Sequence, residues 1–267
     1  MPHFNANFIS YTLHRSISIN VIIPGLTSTE ADRAINKNPC HKPKAPYPVL
    51  YLLHGYCNDY SSWERYTSLE RYAEEQQIAV VTFSAENNFY VDTSKFLQSN
   101  FNTYPNYESL LVDEIIDFVE GMFPVSNLAK DRYIAGLSMG GYGAMLNGFK
   151  NYKKFKAVGA FSPACTIDRP NFKNYNDAPK DDYDILNLIL KDKNNMPDFY
   201  IAYGGKDFLK EEIEAFINSL DKNNIKYHME FMEGYGHEWA FWDIQVNNFM
   251  KWLPRSDFYK ESAGRNI

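Results

Sequence analysis

Residues 134–141 read Ile-Ala-Gly-Leu-Ser-Met-Gly-Gly, an apolar run that passes through Gly136-x-Ser138-x-Gly140 into a helical stretch. A serine hydroxyl attacks a carbonyl only when it stands clear of the backbone, and a strained strand-to-helix turn holds it there. Such a turn needs small neighbours, because side chains at 136 and 140 would strike the adjoining strand and helix. Ser138 is therefore the candidate nucleophile. The N–H of Met139, at the helix start, is a candidate donor to an oxyanion. G-x-S-x-G by itself also fits an ordinary turn, so the remaining residues must decide.

A Ser/His/Asp hydrolase on an open parallel sheet presents serine, acid and histidine in that order, the acid after a later strand and the histidine in a late loop. The aromatic run Asp198–Tyr203 ends in Gly204-Gly205-Lys206-Asp207, and a further strand-like run, 226–232, ends in Gly234-Tyr235-Gly236-His237. Asp207 is the candidate acid and His237 the candidate base. The intervals of 69 and 30 residues leave room for a strand–helix–strand unit between each pair, with an inserted segment in the first. Taken alone, Asp207 also reads as a turn residue or helix N-cap. Asp198 is a rival acid, but it opens its strand and would lie at the wrong end of the sheet. His3, His14 and His41 fall in N-terminal or loop segments, and His228 sits within a strand. His237 alone has glycines before it and Trp239, Phe241 and Trp242 after it, a wall able to exclude water.

Upstream, the continuous apolar run 48–53 opens into His54-Gly55-Tyr56. This is the pattern of a central strand leading to an oxyanion loop, which needs an exposed amide more than a particular side chain. Tyr56 N–H is the second candidate donor. His54 reads mainly as a hydrogen-bonded brace for that loop. His54, Trp63, Tyr90 and Trp239 are the candidate substrate contacts.

These residues, with Ser62-Trp63, Gly136-Leu-Ser-Met-Gly-Gly-Tyr-Gly-Ala144, Phe161-Ser162-Pro163 and Gly236-His237-Glu238-Trp239, resemble the esterase D group. That group holds tributyrin, feruloyl and acetylxylan esterases, S-formylglutathione hydrolases and, more distantly, mycolyltransferases. The resemblance spans roughly residues 8–253. It implies an α/β-hydrolase fold, Ser138, Asp207 and His237 as the triad, and the Tyr56 and Met139 amides as the oxyanion hole. Beside the resemblance, His237-Glu-Trp-Ala-Phe lacks the second histidine of a zinc helix and Gly204-Gly-Lys lacks the spaced glycine and Ser/Thr of a P-loop, so no cofactor and no metal are expected. The polar stretch 24–47 is longer than the loop usual in the group.

The elements that must carry this chemistry are visible as pattern. Strands are expected at 48–53, 78–84, 132–137, 157–162, 198–203 and 226–232, alternating with helical stretches, which argues a mostly parallel sheet covered on both faces. Residues 10–23 alternate like two antiparallel edge strands. Residues 107–122 predict one helix with Leu111, Ile115, Phe118, Val119 and Met122 on its apolar face. The aromatic segment 84–107 and a cap at about 165–195 are placed over the sheet edge as determinants of substrate choice. One domain over 1–267 is expected.

The chain has 267 residues, is 45% hydrophobic and carries a net charge of −6, which supplies no basic field for nucleic acid. No run approaches the ~18 apolar residues of a membrane span. The N-terminus lacks a charged region followed by an apolar core, so the expectation is cytoplasmic, with a mature secreted form looking the same. Cys40, Cys57 and Cys165 make an odd set with no C-x-x-C, suggesting free thiols and no zinc. A homo-oligomer is compatible with this composition. The reaction expected is hydrolysis of short-chain acyl esters, acetyl to butyryl, on a small-molecule substrate. The alternatives are feruloyl or acetylxylan esters linked to carbohydrate, the thioester S-formylglutathione, and a silent binding protein on the same fold.

Overall fold

The computed structural model describes residues 1–95, 105–167 and 180–264. Eight strands form one sheet in the order β1-β2-β4-β3-β5-β6-β7-β8. They are β1 His3–Ser10, β2 Arg15–Ile22, β3 Val49–Leu53, β4 Ala79–Phe83, β5 Arg132–Leu137, β6 Ala157–Phe161, β7 Asp198–Gly204 and β8 His228–Met232. β1 and β2 pair antiparallel, as do β2 and β4, and the rest of the sheet is parallel. This is the α/β-hydrolase arrangement.

Alternation along each central strand sends its apolar side chains to two separate cores. Val49, Tyr51, Leu53, Ile134, Val158 and Ile201 meet helices α4 Met139–Lys150, α5 Ile185–Lys191 and α6 Lys210–Lys222 on one face. Leu50, Leu52, Tyr133, Ala135, Tyr200 and Ala202 meet α1 Ser62–Tyr66, α2 Leu69–Gln76 and α7 Trp239–Trp252 on the other. Burial on both sides explains why these strands read as unbroken apolar runs.

Two expectations need correction. The two N-terminal strands begin at His3, not Ser10; Tyr11–His14 is the turn between them, His3 lies in β1, and β2 is interior to the sheet. β1 is the edge strand, and its alternation lies before Ser10: Phe4, Ala6 and Phe8 alternate with His3, Asn5 and Asn7, and Phe4 and Phe8 meet Phe123 and Phe118. The helix at 107–122 is not uniform. It starts as Tyr107–Ser109, passes through a π-helical segment Leu110–Ile115, and ends as α3 Ile116–Met122. The wider π turn shifts the helical phase of the residues after it, so Met122 leaves the apolar stripe and is 69% exposed. Segment 24–47 runs below the sheet's N-terminal edge: Tyr47 stacks on Tyr259 at 4.4 Å, and the Tyr259 hydroxyl donates to Ala45 O and accepts from Ala45 N–H.

Phe96, Phe101 and Tyr104, and the middle of the expected cap, lie outside the described residues. Of the cap, helices Lys180–Tyr183 and α5 are described. No helix among the described residues is long and apolar enough to cross a membrane.

Candidate active site

The chain lays down β3, crosses to β4 on one side, then returns to place β5 on the other side of β3. A crevice opens beyond the C-terminal ends of such a pair, where successive connections diverge. Gly55 follows β3 and Ser138 follows β5, so both border it. The registers Leu53↔Gly136, Leu137↔Phe161, Phe161↔Ala202 and Gly204↔Met232 bring the ends of β3, β5, β6, β7 and β8 onto one edge. Asp207 and His237, on the connections after β7 and β8, therefore emerge on the same edge as Ser138.

Ser138 has φ 53° and ψ −116°, a left-handed conformation that costs a non-glycine residue about 1–3 kcal/mol. Surrounding bonds hold it there: its N–H donates to Phe161 O at 2.9 Å and its carbonyl accepts from Tyr142 and Ala164 N–H. Crowding explains the glycines. A Cβ on Gly140 would stand 2.5 Å from the carbonyl oxygens of Leu53 and His54, and one on Gly136 would overlap the Gly140 carbonyl. Met139 begins α4, where the first amides have no acceptor within the helix.

The oxyanion-type loop packs directly on the elbow, since a Cβ at Gly55 would lie 3.5 Å from Ser138 Cβ. His54 fixes that loop. Ala85 N–H donates to His54 Nε2 at 3.0 Å, which leaves the ring proton on Nδ1 to donate to Gly55 O at 2.8 Å. Burial lowers the His54 pKa from its ordinary value, so the ring is held neutral. Tyr56 comes next on this loop with its side chain partly exposed.

Asp207 and His237 are joined: His237 Nδ1 lies 3.0 and 3.1 Å from the two carboxyl oxygens. Burial pushes the Asp207 pKa up, but the His237 hydrogen bond, the nearby Ser162 hydroxyl and Leu209 N–H outweigh it, and the net shift is downward. The buried Ser162 hydroxyl is without another hydrogen-bond partner among the described residues. With Nδ1 on the carboxylate, Nε2 of His237 is the nitrogen left for chemistry. Ser138 Oγ and His237 are not hydrogen-bonded to each other among the described residues, a separation that such pairs commonly close once substrate is bound.

Aromatic rings back the imidazole. Trp242 meets His237 edge to face at 4.9 Å, Trp239 meets Trp242 at 5.2 Å, and Trp63 meets Trp239 at 5.4 Å. Of the four candidate substrate contacts, His54, Trp63 and Tyr90 are fully buried and serve the framework. Trp63 Nε1 donates to Leu53 O, and the Tyr90 hydroxyl donates to His54 O. Trp239 is half-buried and stacks on the exposed Tyr66 at 4.9 Å. Asp198, the rival acid, lies at the opposite edge and pairs with Lys156 at 2.6 Å. The sequence reading assigns no role to two neighbours: Ser162, with φ 45°, and Phe208, whose ring rests on His237. Ser162 has a signal in Phe161-Ser162-Pro163 at the end of a strand; Phe208 has none beyond its place after Asp207. No three His, Cys, Asp or Glu side chains gather as a metal set among the described residues.

The sequence matches the family described as "Putative esterase" over residues 27–253. The chain belongs to that family. As a member it is a serine carboxylesterase. An acetyl esterase of Caldicellulosiruptor saccharolyticus is 30% identical, the match covering 96% of this chain and 99% of the relative. Among solved structures, the fluorophosphonate-binding serine hydrolase FphF of Staphylococcus aureus is 25% identical with TM-score 0.77, over 96% and 99% of the two chains. The S-formylglutathione hydrolase FrmB of the same organism is also 25% identical, with TM-score 0.76 over 94% and 98%.

Proposed function

We propose that this esterase hydrolyses short-chain acyl esters, acetyl to butyryl, through an acyl-enzyme on Ser138. The observation that carries the reading is the Asp207–His237 hydrogen bond on the sheet edge that also bears the strained Ser138. The acetyl esterase relative supports the small acyl group. Asp207, ionised and buried, holds the His237 ring so that Nδ1 keeps its proton and Nε2 offers a lone pair. Nε2 takes the Ser138 proton as Oγ bonds to the ester carbonyl carbon. The carbonyl electron pair moves to oxygen, where the Tyr56 and Met139 amides hold the charge. When the tetrahedral carbon expels the alkoxide, Nε2 returns the proton to it, and water repeats the sequence on the acyl-serine.

The test is a p-nitrophenyl ester series from acetyl to octanoyl, with S-formylglutathione and methyl ferulate beside it, on the native protein and on Ser138→Ala. Turnover greatest at acetyl to butyryl, lost by about 10⁴-fold or more in a folded Ser138→Ala protein, is expected. Preference for the thioester would favour the activity named for FrmB. No turnover of any of these, and no labelling of Ser138 by a fluorophosphonate, would refute the assignment.

A further inference from the structure

Phe208 is 76% exposed, yet its ring centroid lies 4.4 Å from that of His237, the planes inclined at 47°. Its flanking residues Asp207 and Leu209 are buried. The turn beneath it is bonded throughout: Gly205 N–H donates to Met232 O, Lys206 N–H to Tyr235 O and Leu209 N–H to Asp207 Oδ1. The ring is thus presented to solvent by a fixed backbone, leaving uncovered an apolar face whose burial would be favourable. Trp242, the other ring against His237, is buried.

The acyl-enzyme mechanism sets what that face can touch, and the inference rests on that mechanism. Nε2 of His237 hands its proton to the leaving oxygen as the bond between that oxygen and the tetrahedral carbon breaks and the bonding pair goes to oxygen. The leaving oxygen must then lie against Nε2. The acyl carbon lies toward Ser138 and the Gly55–Tyr56 loop, so the alcohol portion extends along the His237 side of the crevice. We infer that Phe208 contacts the alcohol portion of the ester and favours one carrying a flat ring, either aromatic or the C–H face of a pyranose. Stacking on such a face is the interaction an exposed phenyl ring offers.

Three acetates that pass through one acyl-enzyme but differ in alcohol test this: ethyl acetate, benzyl acetate and a mono-acetylated methyl xylopyranoside. They are compared on the native protein, Phe208→Ala and Phe208→Trp. Phe208→Ala should lower kcat/KM on the ring-bearing esters about tenfold more than on ethyl acetate, with Phe208→Trp restoring the difference. A loss on benzyl acetate alone assigns an aromatic alcohol, and one on the xyloside alone a sugar. An equal loss on all three esters, or a displaced pH profile with ethyl acetate, would mean that Phe208 acts through His237 and would overturn the inference, as would no loss on any. A native protein that hydrolyses none of them, with Ser138 unlabelled by a fluorophosphonate, overturns the esterase mechanism itself.

Discussion

At Ser138 the backbone opposes stability. With φ 53° and ψ −116° it occupies a region that glycine tolerates and serine does not. Ser138→Gly should therefore abolish ester turnover yet stabilise the fold by about 1 kcal/mol, strain relief outweighing glycine's greater freedom in the unfolded chain. Urea titration at constant m checks it, and a midpoint clearly below that of the native protein would contradict the strain. His54 gives a second prediction. Its folded pKa is depressed below the ordinary 6.5, because burial disfavours the cation and Ala85 N–H faces Nε2. The unfolded chain then binds the extra proton first, so stability is full above about pH 6.5 and is lost as pH falls through the lower folded value. Melting temperatures from pH 8 down to pH 5 should fall more steeply for the native protein than for His54→Gln; parallel curves would remove His54 as the cause. The placement of Ser138, Asp207 and His237 on one sheet edge was legible because a glycine elbow and two strand-end loops write it into local sequence. Phe208 was not, since its meeting with His237 is made by folding across 29 residues of chain and leaves no periodic trace.

Among the elements, the parallel strands were legible to within about two residues, because burial on both faces demands unbroken apolar runs such as Val49–Leu53. What failed to show in sequence were features with weaker demands. β1 does alternate through Phe4, Ala6 and Phe8, but as a half-covered edge strand it lacks the unbroken apolar run of the central strands, and the π segment Leu110–Ile115 changes hydrogen-bond spacing without changing residue type. That segment has a visible consequence in Glu114. Its buried carboxylate accepts from Ser10 Oγ, Tyr11 N–H and Thr12 N–H, tying the β1–β2 turn to the helix. Glu114→Ala would strand three donors and should cost about 3 kcal/mol, with amide exchange accelerated first in β1 and β2. Uniform acceleration across the sheet would show instead that the hairpin unfolds only with the whole.

Across the whole molecule, the two edges of the sheet divide the work. The C-terminal edge holds the strained serine, whose backbone costs stability, and the Asp207–His237 pair and exposed Phe208 beside it. The N-terminal edge holds an anchor in which the chain's last segment closes over residues 24–47. Its centre is Tyr259, stacked on Tyr47 just before β3, with its hydroxyl donating to Ala45 O at 2.8 Å and accepting from Ala45 N–H at 3.0 Å. Tyr259→Phe keeps the stack and removes both hydrogen bonds, so it should cost about 1–2 kcal/mol. β3 separates this anchor from Gly55 and Ser138, and the Tyr47 stack that Tyr259→Phe keeps leaves the start of β3 in place. Turnover of p-nitrophenyl acetate at 25 °C should therefore match the native protein while the urea midpoint falls. A decline in kcat/KM that tracks the lost stability would mean instead that residues 24–47 influence the reactive edge, and that the division between the two edges does not hold.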